Sequence, residues 1–127
     1  MVPEELRYTP EHEWVQLRAE GTVRIGITDY AQTQLGDVVY IQLPSLGDSV
    51  KAGQPVGEIE STKSVSDVFA PVDGEVVGRN DALENSPDLV NSDPYGTGWM
   101  IEIRPAQSGA VDSLMIAKDY RALIEEG

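Results

Sequence analysis

Glycine and proline punctuate this chain at short intervals. Gly21, Gly36, Pro44, Gly47, Gly53, Pro55, Pro71, Gly74 and Gly78 separate brief runs rich in valine and isoleucine. Such spacing predicts a compact all-β sandwich or barrel. Candidate strands are Trp14 to Leu17, Thr22 to Ile27, Val38 to Gln42, Pro55 to Glu60, Val65 to Phe69, Glu75 to Gly78 and Trp99 to Ile103. Several alternate apolar with polar residues, the mark of strands with one face buried.

Two helical pieces interrupt the strands. Thr28 or Asp29 can cap a short helix through Ala31 and Leu35, with Gln32 three residues after Asp29 and Gly36 placed to end it. Near the C-terminus, Val111, Leu114, Met115, Tyr120, Leu123 and Ile124 recur at helical spacing. They predict an amphipathic helix over about 111 to 125 packed on the sheet, its Met and Tyr stripe serving as core. SVKAGQPVGEIE and DVFAPVDGEVVG share a weak internal echo, as if two similar hairpin units faced one another.

Length and composition narrow the possible functions. At 127 residues the chain is expected to form a single domain, 1–127, and its longest apolar runs fall well short of a membrane span. Nine basic and 22 acidic residues give a formal charge of −13, which repels phosphate backbones and argues against nucleic-acid binding. The same charge serves solubility first, and can also steer the protein toward basic docking faces. Without cysteine there is no disulfide, thiolate metal site or cysteine nucleophile, so any redox chemistry must be borrowed. The N-terminus has neither a signal-peptide nor a transit-peptide pattern, so a cytoplasmic protein, or an already processed one, is expected.

Ser61, Thr62, Lys63 and Ser64 lie between PVGEIE and VSDVF. If those flanks pair, this run is a hairpin loop and Lys63 stands at its tip, with no bulky neighbour to block a modifying enzyme. An ordinary surface lysine is the default reading of one such residue. The stretch LGDSVKAGQPVGEIESTKSVSDVFAPVDGEV changes that, because it resembles biotinyl and lipoyl attachment domains. Gly53 matches the turn before the strand, Lys63 the modified lysine, and Ala70-Pro71-Val72-Asp73-Gly74 the turn that follows. Biotin carriers flank the lysine with methionines; here Thr62 and Ser64 flank it, which favours lipoate.

Four further matches, in order, narrow the resemblance. YTPEHEWV at Tyr8 to Val15, GITDYAQTQLGDVVY at Gly26 to Tyr40, ESTKSVSDVFAPVDGEV at Glu60 to Val76 and LVNSDPYGTGWM at Leu89 to Met100 resemble the glycine cleavage H-protein family. The closing AKDYRALIEE resembles its last helix. The resemblance implies a mainly β, barrel-sandwich hybrid of short antiparallel strands, with a lipoyl-bearing hairpin at about 55–70. It also implies a non-catalytic, cytoplasmic carrier with lipoic acid in amide linkage to Lys63. Its partners would be a pyridoxal-phosphate glycine decarboxylase, a tetrahydrofolate-dependent aminomethyltransferase, a dihydrolipoyl dehydrogenase using FAD and NAD, and a lipoyl-attaching enzyme. A monomer is expected from such transient contacts. An H-like lipoyl donor, in relay to other complexes, is the alternative.

Glu13 and Asp67 match positions that in relatives lie near the amine of the loaded arm, and as sequence alone they read equally well as solvated carboxylates. Gln34 stands where some relatives have histidine, and ESTKS where ESVKA is common. His12, the only histidine, lacks the spacing of a zinc motif or a triad; it reads as a surface or edge-strand residue satisfied by a carboxylate, and a small enzyme acting through it is the remotest reading. No metal site is expected. Asn91, Pro94, Tyr95, Gly96 and Gly98 read as loop residues, and Trp99 as a core residue opening the last strand.

Overall fold

The computed structural model describes residues 2–126. Two antiparallel sheets of short strands form the frame, which is mainly β as the turn spacing predicts. Its strands are β1 (Arg7–Tyr8), β2 (Glu13–Leu17), β3 (Val23–Ile27), β4 (Val38–Gln42), β5 (Ser49–Val50), β6 (Pro55–Ser61), β7 (Val65–Phe69), β8 (Gly74–Arg79) and β9 (Ile101–Pro105). The larger sheet runs β1-β2-β3-β9-β8-β5 and the smaller β4-β6-β7. Every strand expected from sequence is present within a residue or two of its expected ends. The two-residue strands β1 and β5 are too short to leave a periodic signal.

Register explains several residue choices. Trp14 faces Gly26 across β2 and β3, and a Cβ at Gly26 would stand 2.8 Å from the indole ring, so only glycine admits the tryptophan. The indole N–H donates to the Pro94 carbonyl at 2.8 Å, which removes the cost of burying it. The echoing segments lie side by side and antiparallel: Ser49 pairs with Glu75 and Val50 with Gly74, while Pro55 pairs with Phe69 and Glu58 with Asp67. One pairing belongs to the large sheet and the other to the small one, so the two segments stitch the sheets together.

Helices fill the ends. Helix α1 (Asp29–Leu35) starts at Thr28, whose side chain accepts the Ala31 N–H, and stops at Gly36 in a positive-φ conformation that glycine adopts without strain. Single-turn helices α2 (Ala82–Asn85) and α3 (Leu89–Ser92) plug Leu83 and Val90 into the cluster of Ile27, Val38, Ile41, Ile59, Val68 and Met100. A second cluster, built on Val15, Val23, Ile25, Val76, Ile101 and Ile103, occupies the large sheet.

Two expectations are corrected here. The helix predicted over 111 to 125 is broken: a 3-10 turn at Ala110–Ser113 is followed by extended backbone at Leu114, and α4 runs only from Ala117 to Glu126. Met115 exchanges backbone hydrogen bonds with Tyr8, which takes that residue out of any helix. Val111 and Leu114 pack on the large-sheet cluster, whereas Met115, Leu123 and Ile124 pack on a third one formed by Leu6, Tyr8, Trp14, Ala117 and Tyr120. One straight helix cannot reach both. Trp99 does not open the strand, and it only borders the core: half-buried, it packs against the cluster of Leu6, Tyr8, Trp14, Ala117 and Tyr120, with the Arg24 guanidinium 4.2 Å over its ring. Met100 takes the buried place, and its N–H donates to the Ile25 carbonyl.

Candidate functional site

The hairpin β6–β7 carries Lys63 at its tip. Pairing of Glu60 with Val65 and Ile59 with Ser66 leaves residues 62–64 as the connection, and Lys63 is exposed. The tip is held by Ser61, the last residue of β6. Oγ of the buried Ser61 accepts the N–H groups of Lys63 at 3.2 Å and Ser64 at 3.1 Å, while the Ser61 N–H donates to the Ser64 carbonyl at 2.8 Å. A serine satisfying amides two and three residues on is a local turn that a sequence can signal, and Ser61 has this role beyond being a small neighbour of the lysine. Outside the hairpin, the Thr62 N–H donates to the Asp37 carbonyl.

Gly36 meets the lysine from the other side. A Cβ there would stand 3.1 Å from Lys63 Cε, so the aliphatic stem lies across the bare glycine that ends α1. The ammonium forms none of the ion pairs found among the described residues.

Beside the tip opens a cleft of about 430 Å³. It is lined by apolar Ile27, Ala31, Leu35, Ile59, Val65 and Val68 and by polar Glu11, His12, Glu13, Tyr30, Gln34, Ser64, Ser66 and Asp67. Glu13, Gln34 and Asp67, three residues from distant parts of the sequence, are thus brought into one cavity bordered by the neighbour of Lys63. A second groove, about 390 Å³, is lined by Pro44, Asp48 and Glu58 and shares Asp67, but it contains neither Glu13 nor Gln34.

The three differ in character. Asp67 and Gln34 are exposed on the rim. Glu13, read from sequence as a possible solvated carboxylate, is 1% exposed. Its Oε1 accepts from the Thr9 hydroxyl at 2.6 Å and its Oε2 from the Phe69 N–H at 3.3 Å. Burial pushes its pKa up to about 7, against the opposing pull of those two donors. A carboxyl group in this state can take or release a proton near neutrality, and a cation entering the cleft would favour its ionised form.

His12 is also placed differently from expectation. Among the described residues its Nδ1 meets the Tyr120 hydroxyl, at 2.9 Å, rather than a carboxylate, and its ring packs 4.9 Å from that of Tyr30. It has positive φ, 72°, a conformation histidine adopts more readily than most residues. Burial lowers its pKa below the ordinary histidine value, with Glu11 pulling the other way. Tyr120, 108 residues away, could not be linked to His12 from sequence.

No group of three or more metal-ligating side chains occurs among the described residues, and no helix there is long and apolar enough to cross a membrane. Lipoic acid is a flexible apolar chain ending in a dithiolane. The site fits it: an exposed primary amine, and beside it a cleft lined by apolar side chains together with acidic ones.

Comparison with known proteins agrees with this geometry. A model of the family described as "Glycine cleavage H-protein" matches residues 6–127. The chain is 53% identical to the glycine cleavage system H protein of Mycolicibacterium vanbaalenii and 54% to that of Mycolicibacterium smegmatis, covering 98% of each chain in both cases. The crystal structure of the H protein from Mycobacterium marinum superimposes with a TM-score of 0.89 at 40% identity, over 98% of this chain and 99% of that one.

Proposed function

Because the chain belongs to the glycine cleavage H-protein family, the lipoyl carriers of the glycine cleavage system, we propose that Lys63 is its attachment lysine and the adjoining cleft its shelter for the cargo. The observation that carries this reading is the exposed Lys63 at a hydrogen-bonded hairpin tip, beside a cavity whose lining gathers Glu13, Gln34 and Asp67. Family membership favours a carrier over a relay donor.

When bound, lipoic acid supplies a disulfide that is reduced as it takes up an aminomethyl unit. The protein's own residues do the rest. Amide formation removes the Lys63 charge, and the bonds from Ser61 keep the lysine backbone in one conformation for the lipoyl-attaching enzyme. The apolar side chains of Ile27, Leu35, Ile59 and Val68 offer the arm a surface to pack on. Glu13 and Asp67 face the space where an ammonium group would be held, and Glu13 gives up its proton as that cation approaches. Gln34 offers a neutral polar group from α1. The chain contributes no catalytic residue in this reading.

The partners would be the pyridoxal-phosphate glycine decarboxylase, the tetrahydrofolate-dependent aminomethyltransferase and the flavin-containing dihydrolipoyl dehydrogenase. A cytoplasmic monomer suits visits to all three. Mass analysis of protein from its native host tests the proposal. The peptide containing Lys63 should be heavier by one lipoyl amide; an unmodified peptide would sink it.

A further inference from the structure

His12, Thr28 and Tyr120 come from three parts of the chain and meet at one hydroxyl. Tyr120 Oη lies 2.7 Å from Thr28 Oγ1 and 2.9 Å from His12 Nδ1. The order of protons follows by elimination. Thr28 Oγ1 already accepts the Ala31 N–H at 3.2 Å. Thr28 is 0% exposed, so its own O–H needs an acceptor inside the protein, and Tyr120 Oη is the one within reach among the described residues. The phenol therefore accepts from Thr28, and its proton is left for Nδ1 of His12. The reverse order would strand the threonine proton in the core.

We propose that Tyr120 is a positioning residue for the cleft, whose O–H holds His12 as the neutral imidazole protonated on Nε2 and ties the cap of α1 to the same point. The consequence for function rests on the cleft being the cargo shelter. His12 lines that cleft, as do Tyr30 and Gln34 of α1, so one hydroxyl on the last helix sets two of its walls. A neutral ring there presents an N–H donor and does not repel an ammonium group. Burial of the ring, which disfavours its cation, agrees with this proton order. The titratable groups around it are Glu11 on its own loop, Glu13 on β2, Tyr30 on α1, Tyr120 on α4 and Asp67 across the cleft on β7.

Nitrogen NMR of the full chain with Lys63 unmodified, as wild type, Tyr120→Phe and Thr28→Ser, tests the proposal. In the wild type, Nδ1 of His12 should read as unprotonated and Nε2 as protonated. Tyr120→Phe keeps the ring that stacks on Tyr8 at 4.7 Å, so the packing is preserved. In that variant the preference for the Nε2 tautomer should weaken about fivefold, the ratio equivalent to a net hydrogen bond of about 1 kcal/mol. The imidazole should also titrate about half a unit to one unit higher, because its neutral form has lost a donor. Thr28→Ser keeps the hydroxyl and should match the wild type. A proton on Nδ1 in the wild type overturns the proposal, as does a titration in Tyr120→Phe that is unchanged or lower. The wild-type tautomer decides the question even if Tyr120→Phe folds poorly. Neither readout needs a modified lysine, so an unmodified Lys63 in native protein would refute the attachment reading and leave this one standing.

Discussion

Oε2 of Glu13 accepts the Phe69 N–H at 3.3 Å, so a buried carboxyl on β2 of the large sheet is bonded to β7 of the small one. Glu13 is thus both a joint between the sheets and a buried residue lining the cleft, and its protonation affects both.

The joint predicts a pH dependence of stability. The folded pKa of Glu13 is raised to about 7 from an ordinary 4.5. Its contribution to stability is therefore full below pH 4.5 and is lost as pH rises through 7, since ionising the buried group costs more than ionising it in the unfolded chain. The loss is about 3.5 kcal/mol at most, at about 1.4 kcal/mol per pKa unit. Urea unfolding at about pH 5 and about pH 8 should show wild type losing more stability than Glu13→Gln over that interval. His12, whose folded pKa is lowered, acts in the opposite sense but is common to both proteins. Parallel pH profiles would mean that Glu13 does not titrate in this range.

Lys63→Arg should fold normally, because an exposed tip side chain packs little, yet should accept no lipoate and support no glycine cleavage. Lys51→Arg, also exposed but outside the hairpin tip, should be nearly silent. Intact mass after incubation with the attaching enzyme reads the difference.

Gly36→Ala should act at both ends of α1's last turn. Its φ of 81° strains any side chain, and the added Cβ meets Lys63 Cε at 3.1 Å. A stability loss of about 1 kcal/mol is expected, with slower modification of Lys63. Unchanged values for both would show that neither the backbone nor the lysine stem depends on glycine here.

Cargo protection should depend on the two acids together. An exposed ion pair contributes about 0 to 1 kcal/mol, so Asp67→Asn should have a small effect. Glu13→Gln, in the buried position, should have a larger one, and the double variant the largest. The measurement is formaldehyde release from protein loaded with the aminomethyl group, without tetrahydrofolate. Equal rates in all four proteins would assign the protection to the apolar walls alone.

Deleting residues from Ala117 onward should destabilise the protein more than it impairs modification of Lys63. Ala117 and Tyr120 are buried, and Leu123 and Ile124 pack beside them. Each large side chain fully buried contributes about 1.5 to 3 kcal/mol, a substantial part of a small domain's margin. An unchanged melting temperature would contradict this role for α4.

The strands, the cap of α1 at Thr28 and the hairpin position of Lys63 were legible in sequence because each depends on neighbours a few residues away: alternation, a capping hydroxyl, a turn between two valine-rich runs. Resemblance added Glu13, Gln34 and Asp67 as candidates but could not assign their environments. Burial decided those, and burial is a property of what packs from elsewhere: Phe69 and Thr9 close over Glu13, while Asp67 and Gln34 stay at the rim. The same holds for the stretch after Ala110, where helical spacing was present but Tyr8, more than a hundred residues earlier, captured the backbone of Met115 and split the helix. Tyr120, on the helix that begins after that split, meets both His12 and Thr28. Local patterns are written along the chain, whereas the pKa of Glu13, the partner of His12 and the walls of the cleft arise from contacts that exist only once the sheets have closed.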